Sequence, residues 1–156
     1  MFSKEEAKEL RQLFWHKMEN RTRRIPGQKG KKIKWIFDET NIKGLDLRFD
    51  INRQRTIVAL EINHRSEDRR LQLYEKLEAC KTIFESAYGG ELIWDYLYSK
   101  DEGRDVCRVY EMLSPADMYR QDQWPEIMKF MIDRMIRLEK AFLEVKDFLV
   151  HDELGK

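Results

Sequence analysis

The sequence has few of the residues that form disulfide bonds in small proteins or bind metals. It contains two cysteines, Cys80 and Cys107, and neither belongs to a Cys-x-x-Cys pair. Two cysteines are too few for a disulfide framework, so we expect reduced, partly buried thiols. The three histidines, His16, His64 and His151, are scattered. No two of them have the i,i+4 spacing of a helical zinc site, so the sequence predicts no metal site.

Long apolar runs and glycine-rich loops are also missing. No apolar run approaches the ~20 residues that cross a bilayer, and the stretch from Met1 to Glu6 lacks a signal-peptide pattern. The sequence therefore predicts no membrane association and a cytoplasmic location. It has neither a phosphate-binding Gly-rich loop nor a Gly-x-Ser-x-Gly frame, so we expect no cofactor and no serine-hydrolase site.

The chain does contain enough apolar side chains to build a core. Of its 156 residues, 42% are apolar and 38% are charged, and it has four Trp, eight Phe and six Tyr. A chain of this length buries roughly 68–70% of the surface that its unfolded form exposes. We therefore expect a single domain over residues 1–156, with a well-solvated surface and a core that needs no disulfide bond or structural metal.

The strongest pattern is a β-hairpin followed by a helix. Apolar and polar residues alternate over residues 45–52 and again over residues 56–64, which predicts two strands joined by a tight turn. Ser66 has the residue type of a helix N-cap, and Gly89 suits the left-handed end of a helix. Between them, apolar residues recur at steps of three and four, which predicts one amphipathic helix of some six turns.

Weaker patterns complete the expected fold. Ser3 and Glu6 form a capping box before a helix over about residues 4–20. We also predict short strands at 34–37, 92–98 and 106–113, a short helix at 115–120, and a last helix over 122–150. The element order is then α-β-β-β-α-β-β-α. This order predicts an α+β fold, with long helices on one face of a mostly antiparallel sheet of about five strands.

Positive charge is concentrated between the first helix and the first predicted strand. Seven basic residues and no acid lie between positions 21 and 34, and because the whole chain is +1, the rest carries −6. Cations beside an aromatic residue suit phosphate contacts with a stacking platform. A solvated loop, with Trp35 in the core, is the default interpretation of such a segment. A nucleic-acid partner is the leading functional hypothesis, and an acidic protein partner is the alternative. The candidate residues are Arg21, Arg23, Arg24, Lys29, Lys31, Lys32, Lys34 and Trp35.

The hairpin carries a second candidate site. Asp46 and Asp50 lie on its first strand, and Glu61 and His64 on its second. An Asp followed by Glu-x-Lys on the next strand is how restriction-type nucleases hold Mg²⁺ and activate water. Asn63 stands at the lysine position here, so the general base is missing from that pattern. The alternative is that these carboxylates are solvated and that His64 caps the following helix.

The last predicted helix offers a third interpretation. Met128, Met131 and Met135 lie on its apolar face, where filling the core is their default role. The stripe is widened by Ile132 and Ile136, and the helix is longer than a small sheet can cover. A homodimer formed through this C-terminal helix is therefore a further hypothesis.

Several stretches together resemble a bacterial family known as domain of unknown function number 4268. The similar stretches are Phe2 to Ala7, Leu10 to Trp15, Lys34-Trp35, Leu60 to His64, Leu73 to Lys81, Leu92 with Trp94, and Asp122 to Pro125. The likeness departs at Gln123, which separates Asp122 from Trp124 where members usually read Asp-Trp-Pro. The family has no established reaction, so the resemblance implies no catalytic residues.

The resemblance does imply a context. Members occur alone in bacteria of the Bacteroidetes type, and elsewhere the domain follows predicted nuclease domains. That context agrees with an accessory role in nucleic-acid transactions. We therefore expect a small binding or accessory module rather than an enzyme. A metal-dependent nuclease, intact or decayed, and a structural self-associating protein are the alternatives.

Overall fold

The structure is a computed structural model, and it describes residues 2–24 and 40–151. Within these ranges it contains four helices, four strands and one 3₁₀ turn, Gln121–Gln123. The elements are α1 (Lys4–Arg23), β1 (Leu45–Ile51), β2 (Thr56–Ile62), α2 (Glu67–Ala79), α3 (Lys81–Tyr88), β3 (Ile93–Ser99), β4 (Asp105–Leu113) and α4 (Trp124–His151).

The four strands form one antiparallel sheet in the order β1-β2-β4-β3. The register sets Leu47 opposite Leu60, and Leu60 opposite Val109, so apolar residues form a continuous row across three strands. The predicted α+β class and antiparallel sheet are confirmed. The predicted strand at 34–37 lies outside the described residues, and the order of the described elements is α-β-β-α-α-β-β-α.

The helices cover one face of the sheet, and the core lies between the two layers. Leu60 and Val109 contribute to it from the strands, and Leu77 and Met131 from α2 and α4. The three methionines of α4 are buried, as the default interpretation predicted. Ile136, Leu143 and Phe148 of the same helix are about half exposed, and a homodimer through this surface stays a prediction.

Two local predictions are wrong. The helix predicted from Ser66 to Gly89 is two helices, because the chain turns at Cys80 (φ −100°, ψ 14°), whose N–H donates to Leu77 O at 2.9 Å. The helix predicted at 115–120 is a turn, held by the Asp117 carboxylate, which accepts from the Tyr119 N–H at 2.8 Å. At Cys80 the apolar spacing continues through the turn, so the periodicity of the sequence does not mark the break.

The helix ends predicted at Ser3 and Gly89 are confirmed. At the start of α1, the Glu6 N–H donates to Ser3 Oγ at 3.1 Å and the Ser3 N–H to Glu6 Oε1 at 2.9 Å. Gly89 ends α3 in the left-handed region (φ 93°). Both cysteines are free, with Cys107 buried and Cys80 partly buried. Among the helices described here, none is long and apolar enough to span a bilayer.

Candidate functional site

The hairpin carboxylates lie on the sheet face opposite the one that packs against the helices. Asp46 and Asp50 extend from β1, Glu61 extends from β2, and the register places Asp46 directly opposite Glu61. Because side chains alternate along a strand, all three are on the opposite side from Leu47 and Leu60. The structure therefore brings these three candidates together, as the nuclease hypothesis requires.

Each oxygen of Glu61 is already bound by donors of this chain. Arg108 donates from Nε and Nη2 to Oε1, at 3.0 and 2.8 Å. The other oxygen, Oε2, pairs with Arg48 Nε at 3.1 Å and Lys100 Nζ at 3.4 Å. Glu61 and Arg108 are 0% and 1% exposed. The interpretation of Glu61 as a solvated surface residue is therefore wrong.

Arg108 also joins Glu61 to Asp50. Its Nη1 lies 2.9 Å from Asp50 Oδ2, and Arg55 adds bonds to both oxygens of Asp50 at 3.1 and 3.2 Å. The Arg108 guanidinium also stacks over the Tyr98 ring, 4.3 Å from its centroid. We call Asp50, Arg55, Glu61 and Arg108 the ion-pair network. A divalent ion would have to displace a guanidinium here.

Asn63 and His64 have local roles. Asn63 Nδ2 donates to Asp46 Oδ2 at 2.9 Å and to Glu61 Oε2 at 2.8 Å, so an amide with no basic atom occupies the lysine position of the nuclease pattern. His64 Nδ1 accepts from the Ser66 N–H at 3.0 Å, which is the predicted capping role. No group of three metal-ligating side chains suited to an ion occurs in the described ranges.

The network fixes the protonation state of its members. Burial alone raises the pKa of Glu61, but hydrogen bonds from Asn63 and Arg108 outweigh it and hold that pKa below the ordinary value. The pKa of Asp50 is lowered in the same way. Burial raises that pKa, but the hydrogen bonds from Arg55 and Arg108 outweigh the effect of burial. Both carboxylates therefore stay ionised, paired with guanidinium groups, at neutral pH.

We expect Glu61→Gln to destabilise the protein in a pH-dependent way. A lowered folded-state pKa gives stability that is complete above the ordinary value of 4.5 and is lost as the pH falls through the folded-state pKa. At pH 7 the variant should lose about 1–3 kcal/mol, since a charged hydrogen-bond partner is removed from a buried guanidinium. Urea unfolding should show this loss shrinking at acid pH. Glu75→Gln, at an exposed position, is the control; a loss that is constant down to about pH 3 contradicts the assignment.

The predicted basic segment lies only partly within the described residues. Arg21 and Arg23 are in the last turn of α1 and Arg24 follows it, all three exposed. Arg23 pairs with Glu19 at 3.6 Å, which neutralises part of its charge. The other members, Lys29, Lys31, Lys32, Lys34 and Trp35, lie outside the described residues.

A groove of about 580 Å³ lies between α1 and the hairpin turn. Trp15 and Phe49 form apolar parts of its wall, and Arg11, Arg53 and Tyr119 lie along it. We call it the arginine groove. The full lining is Arg11, Trp15, Phe49, Asp50, Ile51, Asn52, Arg53, Gln54, Met118 and Tyr119. None of the sequence predictions pointed to this groove.

The walls of the arginine groove are held in place by backbone bonds. The Met118 N–H donates to Asn52 O and the Ala116 N–H to Gln54 O, both at 3.0 Å, which ties the hairpin turn to the loop after β4. Within the turn, Asn52 Oδ1 accepts from the N–H groups of Gln54 and Arg55, at 2.8 and 3.0 Å. A site with such walls is largely pre-formed.

Two arginines converge on one tyrosine in this groove. Arg11 Nη1 donates to Tyr119 Oη at 3.0 Å, and the Arg53 guanidinium lies over the Tyr119 ring, 4.8 Å from its centroid. In the part of the chain that the structure describes, neither arginine forms an ion pair with a carboxylate. A second hollow shares both arginines and adds Lys4, Lys8 and one carboxylate, Glu5, so cationic side chains outnumber acidic ones along this part of α1.

These features define an α+β protein with a closed ion-pair network on one sheet face and an open, cationic groove at the end of its hairpin. The chain belongs to the family described as Domain of unknown function (DUF4268), whose model matches residues 10–146. The resemblance seen in the sequence is thus confirmed. Searches of curated proteins and of solved structures found no match.

Proposed function

We propose that this chain is a small accessory module that binds nucleic acid, and that the arginine groove is its contact surface. The observation that carries the proposal is the pair Arg11 and Arg53, which meet at Tyr119 without an ion-pair partner in the described residues. Guanidinium groups with free donors bind phosphate oxygens well, because their planar fork matches the phosphate geometry.

The contrast with the arginines that lie over the sheet supports this choice of surface. Arg48, Arg55 and Arg108 are all paired with carboxylates of the sheet, so their charge is neutralised within the fold. Lys4 and Lys8 extend the groove's charge along α1. Lys8 and Arg11 are three residues apart, which places them on one side of the helix. The result is a line of cations on a rigid element.

The basic segment proposed from the sequence stays part of this hypothesis. Arg21 and Arg24 belong to the same helix end as that segment, and both are exposed. The contribution of the residues from Lys29 to Trp35 stays a prediction.

The proposal predicts that Arg11→Gln/Arg53→Gln weakens nucleic-acid binding. Two lost phosphate contacts should lower the affinity roughly tenfold at low salt and reduce the salt slope by about 1.4–1.8. Fluorescence anisotropy with a labelled oligonucleotide at several salt concentrations measures both quantities. The proposal fails if the double variant binds as tightly as the wild type. It also fails if the wild type at micromolar concentration binds neither single-stranded nor double-stranded nucleic acid.

The matched control is Arg120→Gln/Arg137→Gln, which removes the same charge elsewhere. Arg120 pairs with Asp122 at 3.4 Å and Arg137 with Asp133 at 3.2 Å, so each charge is already balanced by a neighbour. Neither residue lines the groove. This variant should bind within about twofold of the wild type, since the loss of two screened surface charges acts only at long range.

The alternative of a metal-dependent nuclease has one observation in its favour: Asp46, Asp50 and Glu61 share one face. The arginines bound to Asp50 and Glu61 make it the weaker proposal, because an ion must first displace them. Metal-dependent nicking of plasmid DNA that is lost in Glu61→Ala would support it. The alternative of a structural self-associating protein rests on the exposed apolar residues of α4 described above.

A further inference from the structure

We propose that the arginine groove takes a single nucleic-acid strand, with one base against Trp15 and the adjoining phosphates on Arg11 and Arg53. This inference rests on the proposed function and adds the class of ligand. It follows from the groove having two kinds of surface, an apolar wall and a cationic rim, which together match a nucleotide unit rather than a bare phosphate backbone.

The apolar wall is the first argument. Trp15, Phe49, Ile51 and Met118 line the groove beside the arginines. A phosphate gains nothing from apolar contact, whereas a planar base buries its faces there and stacks on aromatic rings. Trp15 is partly buried, with its ring centroid 5.2 Å from that of Phe14 and 6.2 Å from that of Phe49. The indole is therefore held by its neighbours while it lines the groove.

The cationic rim is the second argument. Stacking on Tyr119 uses a flat face of the Arg53 guanidinium, and the N–H donors of a guanidinium lie in its plane. Arg11 uses one Nη1 donor on the Tyr119 hydroxyl and has further N–H groups to offer. Both guanidinium groups are thus fixed in position by a neutral side chain, and both keep donors for phosphate.

The cost of exposing a base is the third argument, and it favours a single strand. In a duplex, a base reaches an aromatic wall only after it is unpaired and unstacked, which costs a few kcal/mol. In a single strand that cost is small. The groove volume of about 580 Å³ is within the range of small-ligand sites. Lys4 and Lys8 continue the cationic surface beyond Arg11, as a strand longer than one nucleotide requires.

The test compares ligands that differ from a single strand in one respect each: the bases, the number of strands or the length. Anisotropy is measured with labelled oligothymidylate, an abasic deoxyribose-phosphate oligomer of equal length, the corresponding duplex, and thymidine monophosphate as competitor. Oligothymidylate should bind the wild type roughly tenfold more tightly than the abasic oligomer, since stacking of one base contributes about that factor. It should also bind more tightly than the duplex and the monophosphate.

Two variants assign the difference to Trp15. Trp15→Leu should remove the preference for oligothymidylate and leave binding of the abasic oligomer unchanged. Trp15→Phe keeps an aromatic ring and should retain most of the preference. Far-ultraviolet circular dichroism and urea unfolding check that both variants are folded, and comparison is made only between folded proteins. A preference that survives Trp15→Leu overturns the assignment of the base to Trp15.

The outcomes separate this inference from the function on which it rests. Oligothymidylate and the abasic oligomer could bind equally well, and Arg11→Gln/Arg53→Gln could weaken both. That result overturns the single-strand inference, but the proposed function, phosphate binding in the groove, still holds. Tighter binding of the duplex, or competition by thymidine monophosphate at the affinity of the oligomer, also overturns it. Failure of every nucleic acid to bind overturns both proposals.

Discussion

Arg108→Ala should lower the free energy of unfolding by about 3–5 kcal/mol, as is typical when one partner of a buried ion pair is removed. Arg108 is 1% exposed and holds Glu61 and Asp50 together across three strands. Without Arg108, Glu61 remains buried, and its Oε1 atom loses the guanidinium that donates to it. Since a domain has only about 5–15 kcal/mol of stability, the variant should be close to unfolding. Urea unfolding at pH 7 measures the loss.

Two further variants show whether the loss comes from the unpaired charge. Arg120→Ala removes an arginine that is 59% exposed and paired with Asp122, and it should change stability by no more than about 0.5 kcal/mol. Arg108→Met/Glu61→Met removes both charges and should be more stable than Arg108→Ala, because well-packed apolar pairs often replace buried ion pairs without loss. A loss below about 1 kcal/mol in Arg108→Ala would contradict this account of the network.

The carboxylates Asp46, Asp50 and Glu61 share one face of the sheet, but this alone does not make a metal site, and the ion-pair network explains why. A nuclease pattern needs carboxylate oxygens that are open to an ion. Here the oxygens of Glu61 and Asp50 accept from arginines, and Asn63 bridges Glu61 to Asp46. The carboxylate oxygens of this face are therefore already bound by donors of the chain, whereas Arg11 and Arg53 in the arginine groove have no carboxylate partner among the described residues.

The parts of the fold that follow local rules could be predicted from the sequence. Alternation over residues 45–52 and 56–64 depends only on neighbouring residues. It predicted both strands, which span residues 45–51 and 56–62, and the face of each carboxylate. The capping box at Ser3 was equally local. The break at Cys80 could not be predicted, because no Gly or Pro marks it and the apolar spacing continues through it.

The two sites depend on contacts between distant segments, and this is why the sequence did not reveal them. Arg11 and Tyr119 are 108 positions apart, and Arg108 lies 47 positions after Glu61. One signal was available for the network: Arg108 stands within the run Val106-Cys-Arg-Val109, where a charge among apolar strand residues indicates a buried partner. No comparable local signal marked the groove, since exposed arginines are common on helices and turns.

Phe14→Ala should cost about 3–5 kcal/mol and should also loosen the arginine groove. Phe14 is 0% exposed, and its ring packs edge-on against Trp124, with centroids 5.3 Å apart. Trp124 in turn donates from Nε1 to Met118 O at 2.7 Å, in the loop that carries Tyr119. Removing the Phe14 ring therefore leaves a cavity between α1 and α4, at the point where both walls of the groove are anchored.

The neighbouring Leu13→Ala is a matched control on the same helix. Leu13 is 37% exposed, and leucine and alanine have similar helix propensities. Leu13→Ala should therefore lower the free energy of unfolding by less than about 1 kcal/mol. Urea unfolding compares the two variants, and oligothymidylate binding is then measured where both remain folded. Phe14→Ala should bind more weakly than Leu13→Ala, because Trp15 and Tyr119 lose their common support. Equal stability of the two variants would show that α1 is held to the core by other contacts, and equal binding would show that the groove does not depend on Phe14.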